Sequence, residues 1–127
     1  MTENELSRKI IGCAIESHRT LGPGLLESVY QTALAFELEE NGLFVKMQVP
    51  MPVIYKGIRQ DLGYRLDLIV EEKVIVEIKS VEKVSQLHLA QVLTYLRLSE
   101  CKLGLLINFN EKMLRNGICR IVNGLQN

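Results

Sequence analysis

The sequence predicts an α/β protein in which α-helices flank a mixed β-sheet. Two helical patterns open the chain, apolar strand patterns follow, and a further helix separates two of these strands. A helix between two strands is the usual connection between parallel neighbours in a sheet. Because 127 residues with 47% apolar content can build one hydrophobic core, we expect a single domain over residues 1–127.

The first two elements are predicted as helices. Glu3–Leu21 repeats apolar side chains at helical spacing, and Gly22-Pro23-Gly24 ends the pattern. A second helix is expected from Leu25 to Glu40, with Gly42 as its left-handed C-terminal cap. The stripe of the first helix is Leu6, Ile10, Ala14, Ile15 and His18, and the residues expected to be mostly buried in the second are Leu26, Val29, Ala33, Phe36 and Leu38.

The middle of the chain is predicted as three strands, Val45–Tyr55, Ile58–Val70 and Val74–Ser80. Pro50 and Pro52 lack the N–H donor that an inner strand needs, so the first strand is expected to be irregular or to lie at a sheet edge. Lys56-Gly57 predicts the turn into the second strand, and Gly63 indicates a bulge within it.

The last third of the chain is predicted as a helix followed by two strands. Ser85 caps a helix that continues to Arg97. The run KLGLLINF, which contains Leu103–Phe109, is continuously apolar, as is typical of a strand buried on both faces. We therefore expect Val74–Ser80 and Leu103–Phe109 to be parallel neighbours, with Ile118–Val122 closing the edge of the sheet.

Three charged side chains, Asp67, Glu77 and Lys79, lie inside predicted strands, where charge is costly. Side chains of a strand alternate between the two faces of its sheet. In the first of the two strands, one face is expected to carry Tyr64, Leu66, Leu68 and Val70, and the other Arg65, Asp67 and Ile69. In the second strand, one face is expected to carry Val74, Val76 and Ile78, and the other Ile75, Glu77 and Lys79. Alternation therefore groups the charged side chains of each strand on one face.

A hairpin with Glu71-Glu72-Lys73 as its loop sets the register of these two strands. The resulting pairs are Ile69 with Ile75, Asp67 with Glu77, and Arg65 with Lys79. Directly opposed like charges destabilise a sheet. One interpretation is a solvated strand face with a cross-strand salt bridge, and the other is a site in which a cation lies between the two carboxylates.

A hard cation would explain why two carboxylates point at one place. Mg²⁺ takes oxygen ligands, typically one or two protein carboxylates together with waters and substrate phosphate. Lys79 cannot bind such an ion, but it can position a water molecule or neutralise charge on a phosphoryl group. Asp67 followed by Glu77 and Lys79 on the next strand therefore predicts metal-dependent hydrolysis of a phosphodiester.

Asp67 with Glu77-Ile78-Lys79 resembles the active-site pattern of the PD-(D/E)xK nuclease superfamily, with Leu66 where the superfamily name has proline. The stretch GLLESVY, Gly24–Tyr30, is similar to the signature of the GxxExxY family, a bacterial and archaeal branch. This resemblance covers nearly the whole chain. It implies a restriction-endonuclease-like fold and a Mg²⁺- or Mn²⁺-dependent deoxyribonuclease, with Asp67 and Glu77 as metal ligands and Lys79 as a catalytic residue.

The resemblance also implies that Glu27 is a third carboxylate, catalytic and metal-binding, delivered by a helix. Tyr30 lies on the same helix face and could hydrogen-bond a phosphate or Glu27 itself. The other interpretation of Glu27 is helix capping, with Gly24 as the N-cap residue and Glu27 favouring the helix dipole.

Gln91 and Tyr95 are predicted to support the site and its substrate. The stretch QVLTY resembles the Q-x-x-x-Y motif of RecB-type nucleases. Without that role, His88, Gln91 and Tyr95 would form an ordinary polar stripe on a buried helix, which needs hydrogen-bond partners. For His88 both interpretations stay open.

Net charge and cysteine content limit the expected function class and cellular location of the protein. A formal net charge of zero argues against a protein that coats nucleic acid, although it leaves room for a nuclease with local basic groups. Cys13, Cys101 and Cys119 show no disulfide or zinc spacing, which predicts reduced thiols and a cytoplasmic protein.

We expect no signal peptide, no membrane span, and DNA as the partner. A homodimer would use the Val45–Tyr55 edge or the first helix.

Two other functions fit the same sequence. One is a non-catalytic nucleic-acid-binding or accessory protein that keeps the nuclease fold, since the chain is close to a minimal core. The other is a metal-dependent enzyme that acts on a different phosphoester.

Overall fold

The computed structural model describes residues 1–126. The helices in this range are α1 (Glu3–Leu21), α2 (Glu27–Glu40) and α3 (Gln86–Ser99), with a short 3₁₀ helix at Leu114–Gly117. The strands are β1 (Val45–Pro50), β2 (Val53–Tyr55), β3 (Ile58–Gln60), β4 (Arg65–Val70), β5 (Val74–Lys79), β6 (Leu103–Asn108) and β7 (Ile118–Val122). Within the described residues, no helix combines the length and apolar character needed to span a membrane.

Five strands form one mixed sheet in the order β1-β4-β5-β6-β7. The β5–β6 pair is parallel and the other neighbouring pairs are antiparallel. Strands β2 and β3 form a separate antiparallel pair. The predicted α/β class, the mixed sheet and the parallel crossover through α3 are therefore confirmed.

Helices α1 and α2 cover one face of the sheet, and α3 covers the other. The first core cluster joins α1 and α2 to β4, β5 and β6 through residues that include Leu6, Ile10, Tyr30, Leu34, Leu68, Val76 and Leu105. The second cluster contains Met51, Leu66, Ile75, Tyr95, Leu96 and Cys101. Every residue of β6 is buried, as the apolar run predicted. Strands β5 and β6 therefore form the buried interior of the sheet.

Helix ends follow the predicted capping chemistry. Ser85 is the N-cap of α3, where its side chain accepts from the His88 N–H and His88 Nδ1 accepts from the Ser85 N–H. This reciprocal pair gives His88 a structural role. Gly42 has φ +77° directly after α2, as expected for a left-handed cap. In α1, which has the predicted bounds, Ile15 is 44% exposed while the rest of its predicted stripe is buried.

The predicted buried face of α2 is wrong. Leu26 is 75% exposed and Phe36 60% exposed, and Val29 is also exposed. Of the predicted residues, Leu38 is fully buried, and the other buried residues of this helix are Tyr30, Leu34 and Ala35. Apolar residues occur on more than one side of this helix, so periodicity alone did not decide which side faces the sheet. The exposed side borders a groove of about 630 Å³ between α1 and α2.

Two predicted strands are each divided in two. Pro50 and Pro52 flank the end of β1, so the 45–55 segment forms β1 at the sheet edge and β2 in the separate pair. The 58–70 segment is interrupted between β3 and β4, and Gly63, at φ +81°, lies in this interruption instead of in a bulge. The predicted turn at Lys56-Gly57 is confirmed, with positive φ at both residues as in a tight two-residue hairpin turn.

We expect Gly104→Ala to lower the free energy of unfolding by roughly 1–3 kcal/mol. A Cβ at Gly104 on β6 would lie 2.8 Å from Val92 Cγ1 and 3.4 Å from a Leu96 methyl carbon, both on α3. Urea denaturation measures the change. The matched control is Gly12→Ala on the exposed side of α1, where a Cβ meets nothing within 4 Å. This control should gain roughly 0.5–1 kcal/mol through helix propensity. Equal effects of the two substitutions would contradict close packing of α3 on β6.

Candidate active site

The side-chain carboxylates of Asp67 on β4 and Glu77 on β5 each accept a hydrogen bond from a backbone N–H of the other strand. The β4–β5 pairs are Leu68 with Val76, Ile69 with Ile75 and Val70 with Val74, in the predicted register. Beyond Leu68 the ladder pairs end. Glu77 Oε2 accepts from the Asp67 N–H at 2.7 Å, and Asp67 Oδ2 accepts from the Ile78 N–H at 2.8 Å. The two carboxylates therefore take the place of backbone acceptors between the strands.

This position raises the pKa of both carboxyl groups. Glu77 is only 4% exposed, and burial, followed by the charge of Asp67, raises its pKa to about 8. Burial is also the main cause of the raised pKa of Asp67, against which the Ile78 hydrogen bond and the Lys79 charge act. The expected alternative of a solvated face with a salt bridge is wrong. None of the ion pairs formed within residues 1–126 includes Asp67, Glu77 or Lys79.

Face alternation fails where Asp67 leaves the ladder. Leu68 packs in the cluster under α1 and α2, whereas Leu66 packs in the cluster under α3. The neighbouring strand β1 changes in the same way, since Val45 packs against the first cluster and Val49 against the second. The prediction that Leu66 and Leu68 share a face is therefore wrong, because the carboxylate hydrogen bonds replace the regular strand geometry there.

Gln48 marks the same break on β1 and was not identified from the sequence. Its φ of +52° is unusual for a non-glycine residue. The Gln48 side-chain amide donates to Gln31 Oε1 on α2 at 2.8 Å and to Asp67 Oδ1 at 3.4 Å. No signal in the sequence distinguishes this glutamine from any other polar residue of an edge strand.

Glu27 lies at the first position of α2 and binds the end of β5. Its Oε2 accepts from the Ser80 N–H at 3.2 Å, and Ser80 Oγ donates to the Leu25 carbonyl at 2.6 Å. The N-cap residue is Leu26, so the capping interpretation with Gly24 as N-cap is wrong. The Glu27 charge raises the pKa of both Asp67 and Glu77, which places the third carboxylate within electrostatic range of the pair.

Tyr30 has a different environment from the one expected. It is fully buried, and its ring stacks on Phe109 with centroids 4.6 Å apart. The Tyr30 hydroxyl donates to the Gly22 carbonyl at 2.5 Å and accepts from the Leu25 N–H at 3.1 Å. The expected hydrogen bond to Glu27 is not formed. Tyr30 holds the loop that begins α2 and so acts on Glu27 through the backbone.

Tyr95 approaches the carboxylates from α3. Its side chain is buried, and burial followed by the charges of Glu77 and Asp67 raises the pKa of Tyr95 to about 12. Gln91, one turn earlier, is half-buried and lines a cavity of about 410 Å³ together with Tyr95. The structure therefore brings Tyr95 to the site and leaves Gln91 beside it.

Asn108 is a further residue that sequence reasoning missed. Its side chain is 1% exposed. Asn108 Nδ2 donates to the Val81 carbonyl at 2.9 Å, and Oδ1 accepts from the Val81 N–H at 3.1 Å. These two bonds fix the chain that leaves β5 after Lys79. The available signal was one polar residue near the end of an otherwise apolar strand.

The donor set fits a small divalent cation whose shell is completed by water. Within residues 1–126, no three His, Cys, Asp or Glu side chains come together as a cation site. Two carboxylates suffice for Mg²⁺, which usually keeps several waters. In Asp67 and Glu77 one oxygen of each carboxylate accepts a backbone N–H. The second oxygen of Asp67 accepts only the long bond from Gln48, at 3.4 Å, so that it keeps capacity for a cation.

Comparison with known proteins shows that the sequence matches one protein family. A sequence model of the PD-(D/E)XK nuclease superfamily matches residues 4–121. Neither a curated protein nor a solved structure matches the chain significantly.

The metal-free protein should lose stability as the pH rises. The unfolded Glu77 carboxyl ionises near pH 4.5, whereas the folded one ionises near pH 8. Between these values the folded state binds the extra proton, so the free energy of unfolding falls as pH rises through this window. With EDTA present, urea denaturation at about pH 6 and about pH 9 should differ by a few kcal/mol.

Glu77→Gln is the control, because glutamine keeps an oxygen acceptor for the Asp67 N–H but cannot ionise. The variant should show a much smaller pH dependence, with a remainder from Asp67, whose pKa is also raised. If wild type and variant lose stability equally between the two pH values, Glu77 is already ionised in the folded protein.

Proposed function

The chain belongs to the PD-(D/E)XK nuclease superfamily, and on this basis we propose that it is a metal-dependent nuclease of the GxxExxY branch that hydrolyses DNA. The observation that carries the proposal is the pairing of the half-buried Asp67 with the buried Glu77. Two carboxylates with raised pKa values at one place are costly for stability and are typical of functional sites. Mg²⁺ or Mn²⁺ would offset their repulsion.

The proposed metal ligands are Asp67 and Glu77, each through the oxygen that does not accept from the backbone. A bound ion would supply Lewis acidity toward the phosphate and a more acidic water. Glu27 would act from α2, as a third carboxylate that holds waters of the ion. Its hydrogen bond to the Ser80 N–H fixes this carboxylate at the end of β5.

Lys79 is proposed to position the attacking water and to neutralise charge that develops on the phosphate. It is the last residue of β5, two residues after Glu77, and its charge lowers the pKa of both Asp67 and Glu77. The ammonium has no carboxylate partner within 4.0 Å in the described chain. Lys79 is therefore close to the acidic pair while keeping hydrogen-bond capacity for water and substrate.

The tyrosines and Gln91 have supporting roles in this proposal. Tyr95 is proposed to organise the site from the α3 side, because burial and then the charges of Glu77 and Asp67 raise the pKa of its hydroxyl group. Gln91 would contact substrate from the adjoining cavity. Tyr30 supports Glu27 indirectly through the Gly22–Leu25 loop.

The acidic pair also bears on the alternative of a non-catalytic binding protein. Phosphate groups are attracted by Lys and Arg and repelled by carboxylates. A purely binding role gives no physical reason to bury Asp67 and Glu77 together. We retain as proposals a single domain over residues 1–127, a cytoplasmic location and a homodimer.

Purified protein should cleave labelled DNA in the presence of Mg²⁺ or Mn²⁺ and should be inactive in EDTA. Asp67→Asn should abolish cleavage, because asparagine can accept from the Ile78 N–H but carries no charge for the ion. Lys79→Ala should lower kcat roughly 100-fold or more, as expected for loss of a charge-stabilising donor. Gel analysis of labelled single-stranded, double-stranded and branched DNA and of RNA measures both effects and defines the substrate.

Lys46→Ala is the matched control, since Lys46 is an exposed strand lysine that pairs with Glu72 away from the site. Its activity should equal that of wild type. Cleavage by Asp67→Asn at the wild-type rate would contradict the proposed site. Metal-independent binding of DNA without any cleavage would favour the accessory function.

A further inference from the structure

A cavity of about 410 Å³ lies between α3 and the segment that connects β1 with β4. Its walls include Val53, Tyr64, Leu87, Gln91, Tyr95 and Leu98. Among residues 1–126, no Lys, Arg, Asp or Glu lines it. The volume falls in the range of small-ligand sites, which are mostly apolar with a few polar groups.

Tyr95 is shared by this cavity and the acidic site. It lines the cavity, and it packs in the same core cluster as Leu66, which directly precedes Asp67, and Ile75, which lies two residues before Glu77. Burial and, after it, the charges of Glu77 and Asp67 raise the pKa of Tyr95, in agreement with this placement. A molecule in the cavity would therefore lie next to a phosphate held at the carboxylates.

The walls favour a flat, uncharged occupant with a hydrogen-bonding edge. The Tyr64 side chain is 45% exposed and Leu87 is 77% exposed, so both present apolar surface to an incoming group. Aromatic side chains stack on any base, because every base has a π-face. The Gln91 amide offers both a donor and an acceptor to a base edge. A phosphate, in contrast, would find no lysine or arginine among the lining residues.

We propose that this cavity binds one unstacked nucleobase of the substrate strand, beside the phosphate at the Asp67–Glu77 site. The inference rests on the proposed nuclease function and adds its substrate class. Taking a base out of an intact duplex costs a few kcal/mol. The preferred substrate is therefore a single strand, or a duplex with unpaired nucleotides at the cleavage position.

Binding can be tested apart from cleavage in the Asp67→Asn background. Fluorescence anisotropy would measure the affinity of short single-stranded DNAs in which one abasic position is moved along the strand. Removing the base that occupies the cavity should weaken binding roughly 10-fold or more, and removal elsewhere should have little effect. Adding Tyr64→Ala should weaken binding of the intact strand by a similar factor and abolish the sensitivity to that abasic position.

Two further variants control this experiment. Tyr64→Phe keeps the aromatic face and should retain the abasic sensitivity. Phe36→Ala removes an exposed aromatic side chain on the other side of the sheet, in the groove between α1 and α2, and should change nothing. Unchanged abasic sensitivity in Tyr64→Ala, or equal losses at every abasic position, would overturn the base-binding cavity.

Cleavage assays with Asp67 intact separate this inference from the nuclease function itself. The expected result is a higher kcat/KM for single-stranded than for fully paired DNA, with the preference lost in Tyr64→Ala. Equal cleavage of both forms, unchanged by Tyr64→Ala, overturns the cavity and leaves the nuclease function standing. No cleavage of any nucleic acid by wild-type protein overturns both.

Discussion

The reciprocal hydrogen bonds between Asp67 and Glu77 and the backbone of the facing strand are the constraint on which the site depends. They hold two carboxylates where the β4–β5 ladder would otherwise continue. Because one carboxylate is buried and both carry raised pKa values, this arrangement costs stability in the absence of a cation. The surrounding sheet must therefore offset this cost, and the close packing around the fully buried neighbour β6 contributes to doing so.

The rest of the fold brings further groups to the same end of β5. The parallel crossover places α3, which carries Tyr95, against the sheet face that holds Leu66 and Ile75. On the opposite side, Tyr30 fixes the loop that starts α2, and Glu27 then reaches the Ser80 N–H. Asn108 holds the chain beyond β5 by two hydrogen bonds to Val81. The candidate site thus draws its side chains from β4, β5, α2 and α3, whose positions are set by buried contacts.

Strands could be predicted from the sequence where the pattern of neighbouring residues was sufficient to determine their burial or pairing. The apolar run at 103–109 admitted only a strand buried on both faces, and the helix before it required a parallel neighbour. The hairpin register followed from taking Glu71-Glu72-Lys73 as the loop, and the resulting pairing of Ile69 with Ile75 is confirmed. That register predicted that Asp67 and Glu77 face each other, and the family resemblance added their proposed role.

Other features depended on tertiary contacts that a sequence pattern does not contain. The buried side of α2 contains Tyr30, which stacks on Phe109, a residue far from it in the chain. The face change at Leu66 follows from side-chain hydrogen bonds to the backbone, which strand alternation does not consider. Gln48 adopts a backbone conformation that its residue type disfavours, so no propensity could have indicated it.

The central claim is that Asp67 and Glu77 share one divalent cation. Crystals grown with Mn²⁺ and measured at the manganese absorption edge would locate the ion directly by its anomalous scattering. The account predicts one peak in contact with an oxygen of each carboxylate, and loss of that peak in crystals of Asp67→Asn. A peak elsewhere on the surface, or no peak at saturating Mn²⁺, would contradict it.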